Sequence, residues 1–296
     1  MLVSIIIPTY NSLQSLREAL RSIEAVDFPR DDFEVVVVDD GSADRTAEFL
    51  SGYAGATPLT FRYFRQPNRG PAAARNLAIR HAAGDYLLSI DADCHVDSNI
   101  INEYVKHFPS PGLAGVGGNV LPHQHTLISG YLDFLGVWRP GILEGDVKYL
   151  VTANAFFCKK AVLDVGGFDE DFRYPGGEEP EMCYRLKQAG YRFLYEPKAL
   201  AIHAHRTDLK GMVRMFRTHG IGSRIGAEKW SDLRYSNRRI MRYLLEMSMR
   251  PFAERAFNEL PPARAAAYVV FDYLRTLAYF YGYCLSYRHR HAKDRP

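Results

Sequence analysis

The stretch Gly84-Asp85-Tyr86-Leu87-Leu88-Ser89-Ile90-Asp91-Ala92-Asp93-Cys94 decides how the chain reads. Tyr86 to Ile90 is a short, mostly apolar run between Gly84-Asp85 and a pair of carboxylates, the pattern of a buried parallel strand. In extended backbone, residues two apart point to the same side. Asp91 and Asp93 are therefore expected to project together from the strand's carboxyl end, the edge at which open α/β sheets bind ligands. Two carboxylates there need a cation, and a few hard oxygen ligands suit Mg2+ or Mn2+ shared with a substrate's phosphates. Taken alone, Asp-x-Asp also reads as a solvated turn, and its surroundings have to decide.

Upstream, Val3 to Ile7 reads as a first strand stopped by Pro8. Asn11-Ser12 can cap a following helix, in which Leu13, Leu16, Leu20 and Ile23 recur at helical spacing. Phe33 to Val38 is β-branched without polar alternation, so it is expected to be covered on both faces. It ends in Asp39-Asp40-Gly41-Ser42, and Ser42 is expected to cap a short helix reaching about Leu50. A third strand, Thr60 to Phe64, leads into a helix with Pro71 in its first turn and Gly84 at its end. Strand, helix, strand in regular succession predicts crossover units and a parallel sheet. Downstream, Ile100 to Phe108 reads as a helix and Leu113 to Val120 as a Gly-rich strand, while Thr126 to Trp138 is apolar and partly helical in spacing. Val151 to Cys158 reads as a further strand, Pro180 to Gln188 as a helix, and Tyr191 to Tyr195 and Ala199 to His203 as two closing strands. The expected domains are 1–205, an α/β sheet domain with helices on both faces, and 206–296, a basic helical extension.

The 296 residues are 47% hydrophobic and 24% charged, enough to bury a core. Charge is unevenly placed. Residues 1–205 hold 19 Lys+Arg and 26 Asp+Glu, net −7, whereas residues 206–296 hold 18 and 8, net +10. A basic extension of that kind points to an anionic partner, such as a membrane surface, a phosphorylated lipid or nucleic acid. Cys94, Cys158, Cys183 and Cys284 form no Cys-x-x-Cys, so neither a zinc site nor a disulfide framework is indicated, and a reducing compartment fits. The amino-terminal run lacks a secretory pattern, so a cytoplasmic location is expected.

Several blocks then fall into line: Ser4-Ile5-Ile6-Ile7-Pro8-Thr9-Tyr10-Asn11, Val37-Val38-Asp39-Asp40-Gly41-Ser42, Asn68-Arg69-Gly70 through Arg75-Asn76, Asp91-Ala92-Asp93, Gly166-Gly167-Phe168-Asp169-Glu170 and Gly176-Gly177-Glu178-Glu179. In order and spacing they resemble family 2 glycosyltransferases over about residues 1–205. The resemblance implies a glycosyltransferase-A fold, a mostly parallel sheet with a Rossmann-like nucleotide-binding half. It also implies inverting transfer of a sugar from a nucleotide-diphosphate donor to an acceptor hydroxyl, assisted by Mg2+ or Mn2+.

Roles follow from matching positions. Pro8, Thr9 and Tyr10 would lie against the base, with Asp39 and Asp40 in the neighbouring turn and Asp39 accepting the base N–H groups. Arg75 would stand near base or phosphate. Asp91 would face the ribose and a metal-bound water, Asp93 would hold the metal, and His203 would complete that site. Glu179 matches the catalytic base, although this chain reads Glu178-Glu179 where the family has Glu-Asp. Glu178, Glu179 and Glu181 are expected to raise one another's pKa by repulsion. Thr152-Ala153-Asn154, with Glu178, would line the floor beneath the sugar; a plain strand is the rival reading of the first three. His205 is a weaker metal candidate, and His123 and His125 read as loop residues. No Gly-x-Gly-x-x-Gly follows the first strand, which disfavours a dinucleotide-binding oxidoreductase.

In the extension, Met212, Val213, Met215 and Phe216 alternate with Arg214 and Arg217, and Ile240, Met241, Tyr243, Leu244 and Leu245 with Arg238, Arg239 and Arg242. The longest uncharged piece of Ala265 to Tyr287 is Thr276 to Tyr287, 12 residues, short of the roughly 20 that span a bilayer. The open alternatives are a helix lying in the membrane interface and helices packed on protein. The processive synthases of the family carry several membrane helices and Gln-x-x-Arg-Trp; here Trp230 follows Glu228-Lys229, so transfer of one or a few sugars is expected. The partners expected are the donor, a glycan or lipid-linked acceptor lying under Thr126 to Trp138 and the start of the extension, and an anionic membrane surface met by 206–296. Nucleic acid is not expected, and self-association stays open. The competing reading is a non-catalytic membrane-surface scaffold on a degenerate transferase fold.

Overall fold

Val35, Val36, Val37 and Val38 go alternately to two faces of one sheet, and all four are fully buried. In the computed structural model, which describes residues 1–139, 141–143, 146–204, 207–230 and 250–293, Ile5, Ile7, Val35, Val37, Leu88 and Ile90 form one core. Ile6, Val36, Val38, Leu87 and Phe157 belong to the other. Burying each such side chain contributes about 1.5–3 kcal/mol relative to exposure. The unbroken β-branched run therefore has its cause in helices on both sides of the sheet.

The strands are β1 (Val3–Thr9), β2 (Phe33–Asp39), β3 (Phe61–Arg65), β4 (Tyr86–Ile90), β5 (Cys94–Val96), β6 (Leu113–Pro122), β9 (Asn154–Cys158) and β10 (Arg192–His203), with β7 (Gly141–Leu143) and β8 (Asp146–Tyr149) as a separate hairpin. The main sheet runs β3-β2-β1-β4-β9-β6-β10-β5. β1 is parallel to β2 and β4, β2 to β3, and β6 to β10, whereas β9 runs antiparallel to both its neighbours and β5 to β10. The helices α1 (Leu13–Glu24) and α4 (Ile100–Val105) supply Leu16, Leu20, Ile23, Ile100 and Tyr104 to the first core. The second is closed by α3 (Pro71–His81), α6 (Lys159–Asp164) and α7 (Glu178–Gln188). The remaining helix of this part, α2, covers Thr46–Ala54.

Several local expectations are corrected. Pro8 lies inside β1, opposite Val38 and beyond Ile6, the last residue paired with β4, so its missing N–H breaks no rung on that side. Ser12 and Ser42 do not cap helices with their side chains. Ser42 Oγ accepts the Asn11 N–H (2.8 Å), Asn11 Oδ1 accepts the Ala43 N–H (2.8 Å), and Asp44 Oδ2 accepts the Leu13 N–H (3.3 Å). The turns after β1 and β2 are thus stitched to each other, and α2 begins only at Thr46, whose N–H bonds Asp44 Oδ1 at 3.0 Å. Gly84 lies beyond the end of α3; a Cβ there would stand 2.7 Å from Leu2 O and Ser4 N. The two closing strands are one, β10, with a register shift between Glu196 and Leu200.

The chain divides into two compact units: Met1–His123, Gly136–Arg173 and Glu178–Ala204 in one, and Gln124–Leu135, Tyr174–Gly177 and His205–Pro296 in the other. Within the second, α5 (Leu127–Leu135), α8 (Leu209–Lys229), α9 (Arg250–Glu259) and α10 (Pro262–Lys293) are helical. Here α8 meets α10 backbone to backbone, since a Cβ on Gly220 would stand 2.0 Å from Tyr279 O. Tyr131 on α5 donates to Asp272 (3.0 Å), which also takes Arg275 Nε (2.7 Å). No helix among the described residues is long and apolar enough to cross a membrane. The readings at His205, Arg206 and Arg238 to Leu245 lie outside the described residues.

Glu34, buried at the start of β2, accepts hydrogen bonds from Ser4 Oγ (2.7 Å) and the Ala83 N–H (2.5 Å) and pairs with Arg62. Burial disfavours its charge, yet these donors outweigh that cost and hold its carboxyl below the ordinary value. A carboxyl with a depressed folded pKa contributes stability above its unfolded pKa and loses it as pH falls through the folded value. Glu34→Ala is therefore expected to cost about 2–4 kcal/mol at neutral pH and to flatten the acid limb of the stability profile. Urea denaturation at neutral and acidic pH measures both; an acid limb as steep as wild type would assign the proton uptake elsewhere.

Candidate active site

The carboxyl ends of β1, β2 and β4 bring Thr9, Asp39 and Asp91 to one edge of the sheet. Asp39 is fully buried. Its Oδ1 accepts the Ser42 N–H at 2.8 Å, while Oδ2 has no hydrogen-bond partner among the described residues. Arg65 Nε stands 3.3 Å from that oxygen and offsets its charge without bonding it. Thr9 Oγ1 is likewise buried and unbonded. Pro8 is half-buried and Tyr10 is exposed. Asp40 is used differently, because its carboxylate accepts Gln66 Nε2 (2.7 Å) and the N–H groups of Arg69 (2.9 Å) and Gly70 (2.8 Å). It shapes the loop that enters α3.

Arg75, on α3, is the hub of the acidic side. Nη1 donates to Glu178 Oε1 at 3.0 Å and Nη2 to Asp91 Oδ1 at 2.9 Å, and the guanidinium lies 5.6 Å from the Phe168 ring centroid. Burial disfavours its charge, but the carboxylates of Asp91, Glu178 and Glu179 more than compensate, and its pKa stands above the usual value. The neighbouring Asn76 fixes the Gly166–Glu170 turn, accepting the Phe168 N–H (2.9 Å) and donating to Phe168 O (2.8 Å) and Glu170 Oε1 (3.1 Å).

The acids at the start of α7 do not share one field. Glu178 is taken by Arg75 and Glu181 by Arg185 (2.7 Å), so the expected mutual repulsion is relieved by a separate guanidinium for each. Glu179 is half-buried, accepts a hydrogen bond from Thr152 Oγ1 at 2.9 Å, and has no ion pair among the described residues. Asn154 is buried with its amide engaged inside the sheet, accepting Tyr104 OH (2.7 Å) and donating to Asn119 O (3.0 Å) and Ala199 O (2.9 Å).

Asp93 and Asp91 do not act as a same-sided pair. The strand ends at Ile90, and Cys94 N–H bonds Asp91 O in a turn, so the two-residue period stops before it reaches them. Asp91 faces Arg75, while Asp93 Oδ1 stands 3.2 Å from His203 Nε2. The cause is β5, too short to be read from sequence: its pairing with β10 sets Cys94 opposite His203. Asp93, Cys94 and His203 are the one cluster among the described residues whose donors could converge on a metal ion. A carboxylate and an imidazole suit Mg2+ or Mn2+. Cys94 does not, because a soft sulfur is a poor ligand for these hard ions; in the absence of an ion its burial, reinforced by Asp93 and Asp91, pushes the thiol above its ordinary value. Trp138, which sequence reading placed only at the end of an apolar segment, packs on the His203 ring with centroids 4.1 Å apart.

Comparison with known proteins gives a consistent picture. Residues 4–141 match the profile described as "Glycosyl transferase family 2" and residues 86–288 that of "Glycosyl transferase family group 2". The pre-mycofactocin glycosyltransferase of Mycobacterium tuberculosis is 31% identical over 222 residues, 71% of this chain and 44% of that protein. The poly-beta-1,6-N-acetyl-D-glucosamine synthase of Staphylococcus aureus is 30% identical over 206 residues, 67% of this chain and 48% of that protein. The chain thus spans less than half the length of these relatives. Among solved structures, the mannosyltransferase PcManGT of Pyrobaculum calidifontis, in complex with GDP-Man and Mn2+, superposes with a TM-score of 0.67 at 23% identity, covering 99% of this chain and 88% of that one. S. aureus TarS 1-349 with UDP-GlcNAc gives 0.54 at 18% identity, covering 99% and 92%. These similarities establish a glycosyltransferase-A type fold.

Replacing Arg75 tests the hub. Arg75→Ala removes the guanidinium paired with the buried Glu178 carboxylate and with Asp91 and is expected to cost about 3–5 kcal/mol. Arg75→Lys should recover only part, because one ammonium cannot reproduce the planar fork, and Glu178→Gln should cost about 1–2 kcal/mol because its amide oxygen still accepts from Nη1. Thermal denaturation of the three variants measures the order; a wild-type midpoint for Arg75→Ala would remove the hub.

Proposed function

The chain belongs to glycosyl transferase family 2, and on that premise we propose that it moves a sugar from a nucleotide-diphosphate donor to an acceptor hydroxyl with inversion at the anomeric carbon. The observation that carries the reading is the convergence at one sheet edge of the buried acceptor Asp39, the Asp93–His203 pair and the start of α7, where Glu179 carries no ion pair among the described residues.

Asp39 Oδ2 is an unbonded acceptor that a base N–H would satisfy, and Thr9 Oγ1 is a second unbonded group beside it. Pro8 and Tyr10 would lie against the base. Asp91, oriented by Arg75, would hold the ribose. Asp93 and His203 would hold Mg2+ or Mn2+, which supplies neutralisation of the departing diphosphate. Glu179 would take the acceptor hydroxyl proton as its oxygen bonds to the anomeric carbon and the bond to the diphosphate oxygen breaks. The hydrogen bond from Thr152 fixes the reach of a side chain one methylene longer than the family's Asp. Arg75, with both terminal nitrogens on carboxylates, acts here as a positioning residue.

The acceptor we propose is a lipid-linked or envelope glycan intermediate receiving one or a few sugars. The S. aureus relative is named for a glycan polymer, and the structural neighbours hold GDP-Man and UDP-GlcNAc, so donor class is supported while base and sugar differ among them.

Glu179→Gln is expected to lower transfer by about 10²–10⁴-fold while leaving donor binding intact; near-wild-type turnover would refute the base assignment. In thermal-shift titrations with UDP-, GDP- and dTDP-sugars, one series should stabilise the wild type in the presence of Mn2+. Asp93→Ala should lose the Mn2+-dependent part of that shift, and a shift independent of Mn2+ in both proteins would remove the ion.

A further inference from the structure

On α10, Val270 (56%), Tyr273 (47%), Leu277 (44%) and Tyr281 (56%) are exposed large hydrophobics. Spacings of three, four and four residues put them in one stripe, about 16 Å long at the helical rise. The opposite face carries Ala265, Tyr268, Asp272, Thr276 and Tyr283, all buried. Asp272 is the one acid of 262–293, and it is spent internally on Arg275 and Tyr131. The outward stripe therefore carries no negative charge.

Cations are plentiful around it in sequence. The helix closes on Arg288-His289-Arg290-His291-Ala292-Lys293. Within the same unit α8 exposes Lys210, Arg214 and Arg217 at helical spacing. An apolar, tyrosine-bearing stripe on a strongly basic unit, in a helix that cannot span a bilayer, has the composition of an interfacial helix.

We propose that the Val270–Tyr281 face of α10 docks the chain on an anionic phospholipid surface, with the rings of Tyr273 and Tyr281 at headgroup depth. Charge selects this occupant. A second copy presenting the same face would bring together two segments of net +10, whereas an anionic leaflet attracts each nearby Lys or Arg by about 1 kcal/mol. The apolar stripe and the basic charge supply the two signals that stable peripheral attachment requires.

In flotation assays the full chain is expected to bind vesicles of phosphatidylcholine with phosphatidylglycerol, to bind pure phosphatidylcholine several-fold less, and to be released by high salt. The double variant Leu277→Asp/Tyr281→Asp, with near-UV circular dichroism unchanged, should bind at least about tenfold less. Tyr281→Trp provides a reading that does not depend on lost binding: its added emission should shift to the blue on anionic vesicles and be quenched by brominated acyl chains. Flotation of the double variant equal to wild type, or unchanged Tyr281→Trp emission on bound vesicles, would overturn the proposal. So would a chain that ignores both vesicle types and forms a dimer dissolved by the double variant, which would make the stripe a self-association surface.

Discussion

A single buried guanidinium ties the carboxyl edge of the sheet together. Arg75 comes from α3, Asp91 from the end of β4 and Glu178 from the start of α7, so one charge fastens three elements that no backbone ladder joins. Burying an arginine is unfavourable by itself and is balanced only when carboxylates meet it in good geometry. Two do so here at hydrogen-bond distance, and the aromatic ring of Phe168 lies nearby. Arginine suits this place because its two terminal nitrogens face different ways from a rigid plane, which a lysine's single ammonium cannot imitate.

That fastening divides labour among the acids. Asp40, Glu178 and Glu181 have donors of their own and hold backbone or helices in place. Asp39 keeps one oxygen without a hydrogen bond, Asp93 meets an imidazole, and Glu179 is held by a neutral hydroxyl. Asp39 spends its other oxygen on the Ser42 N–H beside Arg65, and Glu179 has no ion pair among the described residues. A sheet edge crowded with negative charge becomes a site with distinct parts because each structural acid has its own partner.

Much of this was legible in the sequence, and the rest was not for identifiable reasons. The Phe33 to Val38 run and the Tyr86 to Ile90 strand are local patterns, and both match the structure to within a residue. The Ser12 hydroxyl caps nothing because it donates back to Tyr10 O (2.9 Å), and the Ser42 hydroxyl caps nothing because it accepts the Asn11 N–H across two turns about thirty residues apart, which no local rule describes. Asp93 and His203 were each legible through family resemblance, but their meeting depends on the three-residue β5, below the length at which alternation can be recognised. Trp138 had no signal beyond hydrophobicity, since its contact with His203 is tertiary.

The cross-stitched turns after β1 and β2 carry a thermodynamic consequence. Asn11, Ser42 and Asp44 already immobilise the backbone on either side of Asp39 before any ligand arrives. Ordering that loops elsewhere undergo on association has here taken place during folding, so little entropy remains to be lost at this edge. In a calorimeter, the heat-capacity change on ligand association at these turns should track only the surface the ligand itself covers, with no added contribution from chain segments condensing around it.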